Sequence, residues 1–406
     1  MNSETTAPHS LRHANLTTVL DVMRGRGVLT GTDLVQRTGL TRATVIAVCD
    51  DLIRRGWVRE LEPERDPGVR RGRPARRFTV DQHAGCVVGL DLGVATVTAE
   101  VADLNGGELT RVAQRVPGRA LDATPAQRIE TIKSTVDQAL QEAGVQSTAV
   151  LAVGIGVATA VDRQGDIAAG YEQAPLFDLG LRTELWGDRG WHVLLENDAN
   201  LAAMAERWRG VAQGIDDLAV MLAGERLGAG VLTSGRLLHG RHGGAGEVGM
   251  LPLDSGVISD DGIARLARQW GSAALAEGEP TLIRDLVGPD THRASARFVF
   301  EAAAQHDEVA LRILDRIARR MARVMAALGA VVDPELVVIA GAVSTSAAAL
   351  VPVINEELAS LSPNPPRVEV SGLGAGAVVT GAVRLALDFV EENMLSLTPA
   401  AATSGA

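Results

Sequence analysis

Hydrophobic residues near the start of the chain recur at the three- and four-residue spacing of helices. Leu16, Val19, Leu20 and Met23 share one face of a helix from about Asn15 to Arg24. Leu34 and Val35 give the inner face of a short helix, Thr32 to Thr38, with Thr32 as N-cap, and Gly39 supplies a tight turn. A longer helix, Thr41 to Arg55, has Thr41 as N-cap and turns Val45, Val48, Leu52 and Ile53 inward. Trp57 to Leu61 and Arg77 to Val80 alternate as strands do. From Gly85 the pattern becomes apolar strand, glycine turn, strand over Cys86 to Asp103, with a third strand at about Thr110 to Val116. A helix from Pro125 to Ala143 carries Ile129, Ile132, Val136 and Leu140, and Val150 to Val157 is a buried strand. Further on, strands are expected at Leu218 to Leu222 and from Val337. A long amphipathic helix is expected from Asp307 to Val332, and a closing helix to about Glu392. This alternation is an α/β layout.

The first unit, residues 1–82, reads as a winged helix-turn-helix. In that motif the start of the second helix enters the major groove, so Thr41, Arg42, Ala43 and Thr44 are the candidate DNA contacts. Arg42 can read a guanine or a phosphate, and Thr44 a phosphate or a thymine methyl. Between the two strands a basic wing, 65–77, holds Arg70, Arg71, Arg73 and Arg76 beside glycine and proline, which suits a narrow minor groove. A three-helix bundle that contacts protein, with a solvated charged linker, is the plainer alternative.

Charge supports the DNA reading. The chain has 406 residues and a net charge of -11, yet residues 1–80 hold 14 Arg against 9 Asp and Glu, which leaves -16 on the rest. A basic arm on an acidic body fixes which face meets DNA. The length calls for two or three domains. No apolar run approaches the ~18 residues of a membrane span. Residues 1–15 contain no signal-peptide h-region, so a cytoplasmic location and no membrane partner are expected. Cys49 and Cys86, the two cysteines, lack metal-type spacing and read as reduced packing residues.

The body resembles the ROK family of repressors and sugar kinases, from the helix-turn-helix nearly to the C-terminus. The resemblance implies an actin-like (ribonuclease H-like), two-lobed sugar-kinase fold: a small lobe over 83–195, rejoined by a C-terminal helix at 382–394, and a large lobe over 196–381. Residues 395–406 are expected to be a disordered tail. The turn Asp91-Leu92-Gly93-Val94-Ala95-Thr96 resembles the kinases' first phosphate loop, where the Asp lies near magnesium. Val94 replaces its second glycine and disfavours the positive φ. Glu196-Asn197-Asp198-Ala199-Asn200 matches the family's Glu-Asn-Asp-Ala-Asn motif, in which the Asp is the kinases' catalytic base. Asn197 and Asp198 are therefore expected to contact sugar, with Asp198 a vestigial base; as an isolated string, Asn-Asp is also a helix N-cap.

Other motifs have drifted. Gly154 to Asp162 resembles a family turn whose Pro-Gly is replaced by Ala158-Thr159, and Leu176 stands where members often carry a sugar-contacting Asn. In the second phosphate loop Glu225 and Arg226 occupy positions of small residues, and Glu225 opposes a phosphate. Gly243 to Met250 matches the family's Gly-x-x-Gly-Glu-x-Gly-His motif, with Glu247 retained and Met250 in place of the zinc-linked His. Residues 251–270 contain no Cys or His, so the family zinc is not expected, nor is ATP, and no other metal or cofactor is implied. His239 and His242 are loop residues or ligand contacts. These residues point to a regulator: a carbohydrate effector held by Asn197, Asp198, Glu247 and His242, double-stranded operator DNA as partner, and a homodimer or homotetramer. An active ATP-dependent sugar kinase with a regulatory arm is one alternative. A body that only dimerises is another.

Overall fold

The computed structural model describes residues 6–23, 26–62, 75–118, 123–182, 186–187, 189–251, 259–288 and 294–399, with the side chains of 6–10 excluded. Arg70, Arg71 and Arg73 of the expected wing lie outside the described residues. The arm comprises α1 (Thr6–Met23), β1 (Leu29–Thr30), α2 (Gly31–Thr38), α3 (Arg42–Arg54), β2 (Val58–Leu61) and β3 (Arg77–Val80). Its three strands form a small antiparallel sheet in the order β1-β3-β2. The first helix extends further upstream than its apolar stripe indicates. The second starts earlier than expected because Thr30, not Thr32, is the N-cap. Thr30 Oγ1 accepts from the Asp33 amide while the Asp33 carboxylate accepts from the Thr30 amide, a reciprocal capping box. Gly39 closes this helix in the left-handed conformation, at φ 69°.

The body contains two five-stranded sheets. The first has the order β6-β5-β4-β7-β8, from β4 (Cys86–Leu92), β5 (Thr96–Asp103), β6 (Glu108–Arg115), β7 (Val150–Val157) and β8 (His192–Asn197). It carries α4 (Pro125–Ala143) and the short α5 (Ala174–Phe177). Strands β4 to β6 are an antiparallel meander, whereas β7 and β8 run parallel to β4. After α6 (Asp198–Arg209) the second sheet has the order β11-β10-β9-β12-β13. Its strands are β9 (Leu218–Leu222), β10 (Gly228–Thr233), β11 (Arg236–Leu237), β12 (Leu336–Ala340) and β13 (Arg367–Val370). Helices α7 (Ile263–Ala276), α8 (Ile283–Val287), α9 (Ala296–Ala304), α10 (Glu308–Val332), α11 (Ser344–Ala347) and α12 (Val351–Leu361) belong to this half, and α13 (Ala377–Asn393) closes the chain's regular structure.

Helix α13 lies against both α6 and the first sheet at distances that only glycine permits. A Cβ on Gly154 of β7 would sit 2.1 Å from the Ala382 carbonyl oxygen. One on Gly381 would sit 1.9 Å from that of Leu201 in α6. Past this contact, Val383, Ala386, Leu387, Val390 and Met394 share one buried cluster with Leu20, Val48, Leu52, Trp57 and Phe78 of the arm. The hydrophobic core of the arm therefore runs into α13 without interruption.

The expected disordered tail is corrected for residues 395–399. Leu395 and Leu397 pack on the arm's cluster, and Pro399 is buried beside Gly56, at the turn that follows α3. The tail looked small and polar in sequence because its apolar residues are too few for a periodic signal. Cys49 and Cys86 are buried free thiols, whose pKa values burial pushes up to about 12. Among the described residues, no helix is long and apolar enough to cross a membrane. Deleting residues 395–406 removes two partly buried leucines and should cost the arm on the order of 1–3 kcal/mol. Thermal unfolding of the truncated chain should show an earlier transition; an unchanged midpoint would mean that the contact is energetically idle.

Candidate nucleic-acid interface and effector cleft

The recognition helix starts as the residue types dictate. Thr41 is the N-cap of α3, its Oγ1 accepting from the Thr44 amide at 3.2 Å and lying 2.9 Å from Thr44 Oγ1. The two hydroxyls thus fix the first turn. Arg42 and Ala43 are exposed at that turn, and among the described residues no acid pairs with Arg42.

Arg76 is placed differently. Its Nη2 meets Asp50 of α3 at 2.7 Å and Glu60 of β2 at 2.6 Å, its Nε donates to Glu60 at 2.8 Å, and its guanidinium lies 5.0 Å from the centre of the Phe78 ring. These contacts brace the base of the wing against the recognition helix, and two carboxylates already satisfy the charge. Sequence could not separate Arg76 from its neighbours in the basic run because Asp50 lies 26 residues away.

The body's cleft, about 380 Å³, lies where several strands end. Parallel register aligns Asp91 with Gly156, and Gly156 with Glu196, so that Asp91 and the β8–α6 corner stand side by side. A crevice at the carboxyl ends of parallel strands is the usual ligand position in α/β folds. Asp91, Gly93, Val94, Ala158, Asn197, Asp198, Glu225, Arg226 and Glu247 all line it. Thr96 does not; it starts β5 beyond the turn, which the buried Arg128 holds by donating to the Val94 carbonyl at 3.2 Å.

Within the corner, Asn197 rather than Asp198 is the N-cap of α6. Its Oδ1 accepts from the amides of Ala199 and Asn200, and its Nδ2 donates to the Thr159 carbonyl. This leaves Asp198 facing the cleft. Burial, with the nearby Glu247 carboxylate adding to it, pushes the Asp198 pKa up to about 7. Asp91 is likewise pushed up to about 7, by burial and then by Asp198. Glu247 is raised by burial. Three carboxyl groups thus resist ionisation together.

The charges of the loop after β9 are compensated within the protein. Glu225 forms a two-pronged ion pair with Arg268, at 2.5 and 2.6 Å. Arg226 donates to Asp260 at 2.6 Å, and its positive charge also favours the ionised forms of Asp198 and Glu247. Neither partner, 34 or 43 residues downstream, was legible from the loop. His242 is exposed and does not line the cleft. His239 instead lies 2.7 Å from Glu196 Oε2, which raises its pKa, and Glu196 Oε1 accepts from the Asn200 side chain. Met250 is 59% exposed.

The fold and these motifs define a kinase-like body that carries a DNA-binding arm. The ROK family model matches residues 87–389, and a MarR family model matches residues 17–72. The chain belongs to the ROK family. It is 23% identical over 389 residues to the xylose repressor of Caldicellulosiruptor bescii, covering 93% of this chain and 96% of that protein. It is 29% identical over 283 residues to a glucokinase of Thermotoga maritima, covering 67% and 86% respectively. Among solved structures, a ROK family transcriptional regulator described as a homologue of the E. coli MLC protein shares the fold over 95% of this chain and 98% of its own. The TM-score is 0.76 at 21% identity. A ROK family glucokinase from Streptomyces griseus, in complex with glucose and AMPPNP, matches 75% of this chain and all of its own, with a TM-score of 0.64 at 27% identity.

The buried carboxyls make a pH prediction. A folded-state pKa raised above the unfolded value gives stability that is present below the unfolded pKa and is lost as pH rises through the folded one. For Asp198 that window runs from about 4 to about 7. Asp198→Asn, which cannot ionise, should therefore raise the melting temperature relative to the parent at pH 7.5 and lose this advantage at pH 4.5. An advantage independent of pH would contradict the assignment.

Proposed function

We infer that the protein is a transcriptional regulator of carbohydrate-related genes, acting as a repressor, whose DNA affinity is set by a sugar or sugar derivative in the cleft. The observation that carries this reading is the joining of two sites by common helices. Asp198 begins α6, and Trp208 near the end of α6 packs on the cluster that the arm, the first sheet and α13 share. Val378 near the start of α13 lines the cleft, and Val390 and Met394 near its end are buried with the arm. A ligand that closes the cleft moves these helices, and with them the recognition helix. Half-sites on DNA tolerate little change in spacing, so a small rotation changes affinity. The names of full-length relatives, xylose repressors among them, agree with this role.

The second phosphate loop favours binding without phosphoryl transfer. Glu225 and Arg226 stand where small residues would leave bare backbone for nucleotide, and both are held by ion pairs. Val94 keeps a β-branched side chain in the first loop. We take the body to be a sensor that needs no metal, zinc or ATP. The retained Asp91 and Asp198, together with glucokinase relatives, keep a kinase as the second reading.

The test combines both sites. Sheared genomic DNA is selected on the purified chain at physiological salt, the bound sites are sequenced, and affinity is remeasured with sugars present. Palindromic sites beside carbohydrate genes are expected. Arg42→Ala should lower affinity for them by about 1–3 kcal/mol, whereas Asp198→Asn should leave it intact and abolish the sugar response. Hexose-dependent ADP release, lost in Asp198→Asn, would replace this reading with the kinase. Salt-sensitive retention without sequence preference would remove the operator.

A further inference from the structure

A second cavity, about 930 Å³, is lined in part by Val193 and Leu195, the residues of β8 that precede Asn197 of the cleft. One face of β8 leads from one to the other. Side chains alternate along a strand, so Val193, Leu195 and Asn197 share a face, and the first two line this groove while the third lines the cleft. The opposite wall is also continuous. Ala158 lines the cleft, the chain then turns back through a bridge between Val161 and Ile167, and Ile167 lines the groove.

Tyr171 stands at the junction. It lines the groove, and its hydroxyl lies so near Gly244 that a Cβ there would be 2.6 Å away; Glu247, three residues on, faces the cleft. The glycine at 244 thus lets the tyrosine approach the cleft's rim. The groove's other end carries Arg182, which donates to Asp166 at 2.9 Å and to the Gln164 carbonyl at 2.9 Å. This pair offers a donor and an acceptor side by side, as two neighbouring hydroxyls require. Ile167, Val193, Leu195 and the Tyr171 ring supply the apolar surface between the ends. Such a lining, mostly apolar with a few placed polar groups, is that of a small-molecule site. The cleft, at about 380 Å³, has room for one compact sugar unit, and the groove, at about 930 Å³, has room for more.

We propose that the groove is a second sugar subsite continuous with the cleft, so that the effector is a disaccharide or a longer glycoside. One sugar unit lies against Asn197, Asp198 and Glu247, and the next runs past Tyr171 along the face of β8 toward Arg182. The inference rests on the cleft being the effector site, and its test separates the two.

Binding of glucose and xylose is compared with that of cellobiose, maltose, lactose and xylobiose, by calorimetry on the full chain. At least one disaccharide should bind tenfold or more tightly than either monosaccharide. Ala169→Trp, which places a large ring in the groove from an exposed position, should abolish that gain and leave monosaccharide affinity within twofold. Tyr171→Ala, checked by thermal unfolding, serves as a second groove variant. Asp198→Asn should weaken every sugar. Monosaccharides that bind through Asp198 with no gain for any disaccharide would overturn the subsite and keep the cleft. Disaccharide binding that ignores both groove variants would also overturn it. Disaccharide binding blocked by Ala169→Trp but indifferent to Asp198→Asn would keep the groove as a site and remove the cleft from it. No sugar binding at all would overturn both.

Discussion

The close approach of α13 to its neighbours is the constraint on which the rest of the molecule depends. At Gly154 and Gly381 helix and neighbour meet backbone to backbone, with no side chain between them. Any Cβ at these points would have to displace a carbonyl, and backbone in a packed core does not shift cheaply. The helix is therefore not free to slide independently of β7 and α6. A rigid element of this kind passes a displacement on rather than absorbing it, as interdigitating side chains with several rotamers would. Because its first turn lines the cleft and its last turns lie in the arm's core, the coupling between ligand and DNA needs no special pathway. It follows from one helix having two environments.

Electrostatics divides the molecule in the same direction. Asp91, Asp198 and Glu247 share a cleft in which burial opposes ionisation of each. A carboxyl whose ionisation is opposed is a hydrogen-bonding partner for hydroxyls in either form, since the acid donates and accepts and the carboxylate accepts. It is a poor neighbour for a polyphosphate unless a cation intervenes. The loop arginine, Arg226, donates through Nε to Asp260 while its charge still acts on Asp198 and Glu247. Charge complementarity within the protein thus holds the loop residues Glu225 and Arg226, each paired with a residue of opposite charge.

Much of the architecture was legible from residue spacing. The helix over 125–143 and the strand over 150–157 have the bounds that the apolar periodicity gives, because each element buries one continuous face and ends at a turn residue. The cap of α2 was missed because Thr30 and Thr32 are equally good N-caps in isolation, and only the reciprocal bond with Asp33 separates them. The candidate site was legible as a set of motifs but not as a set of partners. Asn197, Asp198 and Glu247 come together as their motifs imply. His242 does not join them, since a loop residue's direction depends on the turn that carries it. The pairs Glu225–Arg268, Arg226–Asp260 and Arg76–Asp50 join segments remote in sequence, and no local pattern announces a contact of that kind.

The fate of Arg76 shows what such a contact changes. Counted with the other arginines of the wing, it would add one more charge to a groove-binding strand. Held by Asp50 and Glu60, it joins β2 and the wing's base to α3. Asp50 lies on the recognition helix, so one side chain at the foot of β3 ties β2 to α3 within the arm. That arm shares its core with α13. Arg76, which reads in sequence as one of four wing contacts to DNA, thus braces the arm whose core continues into the helix that lines the cleft.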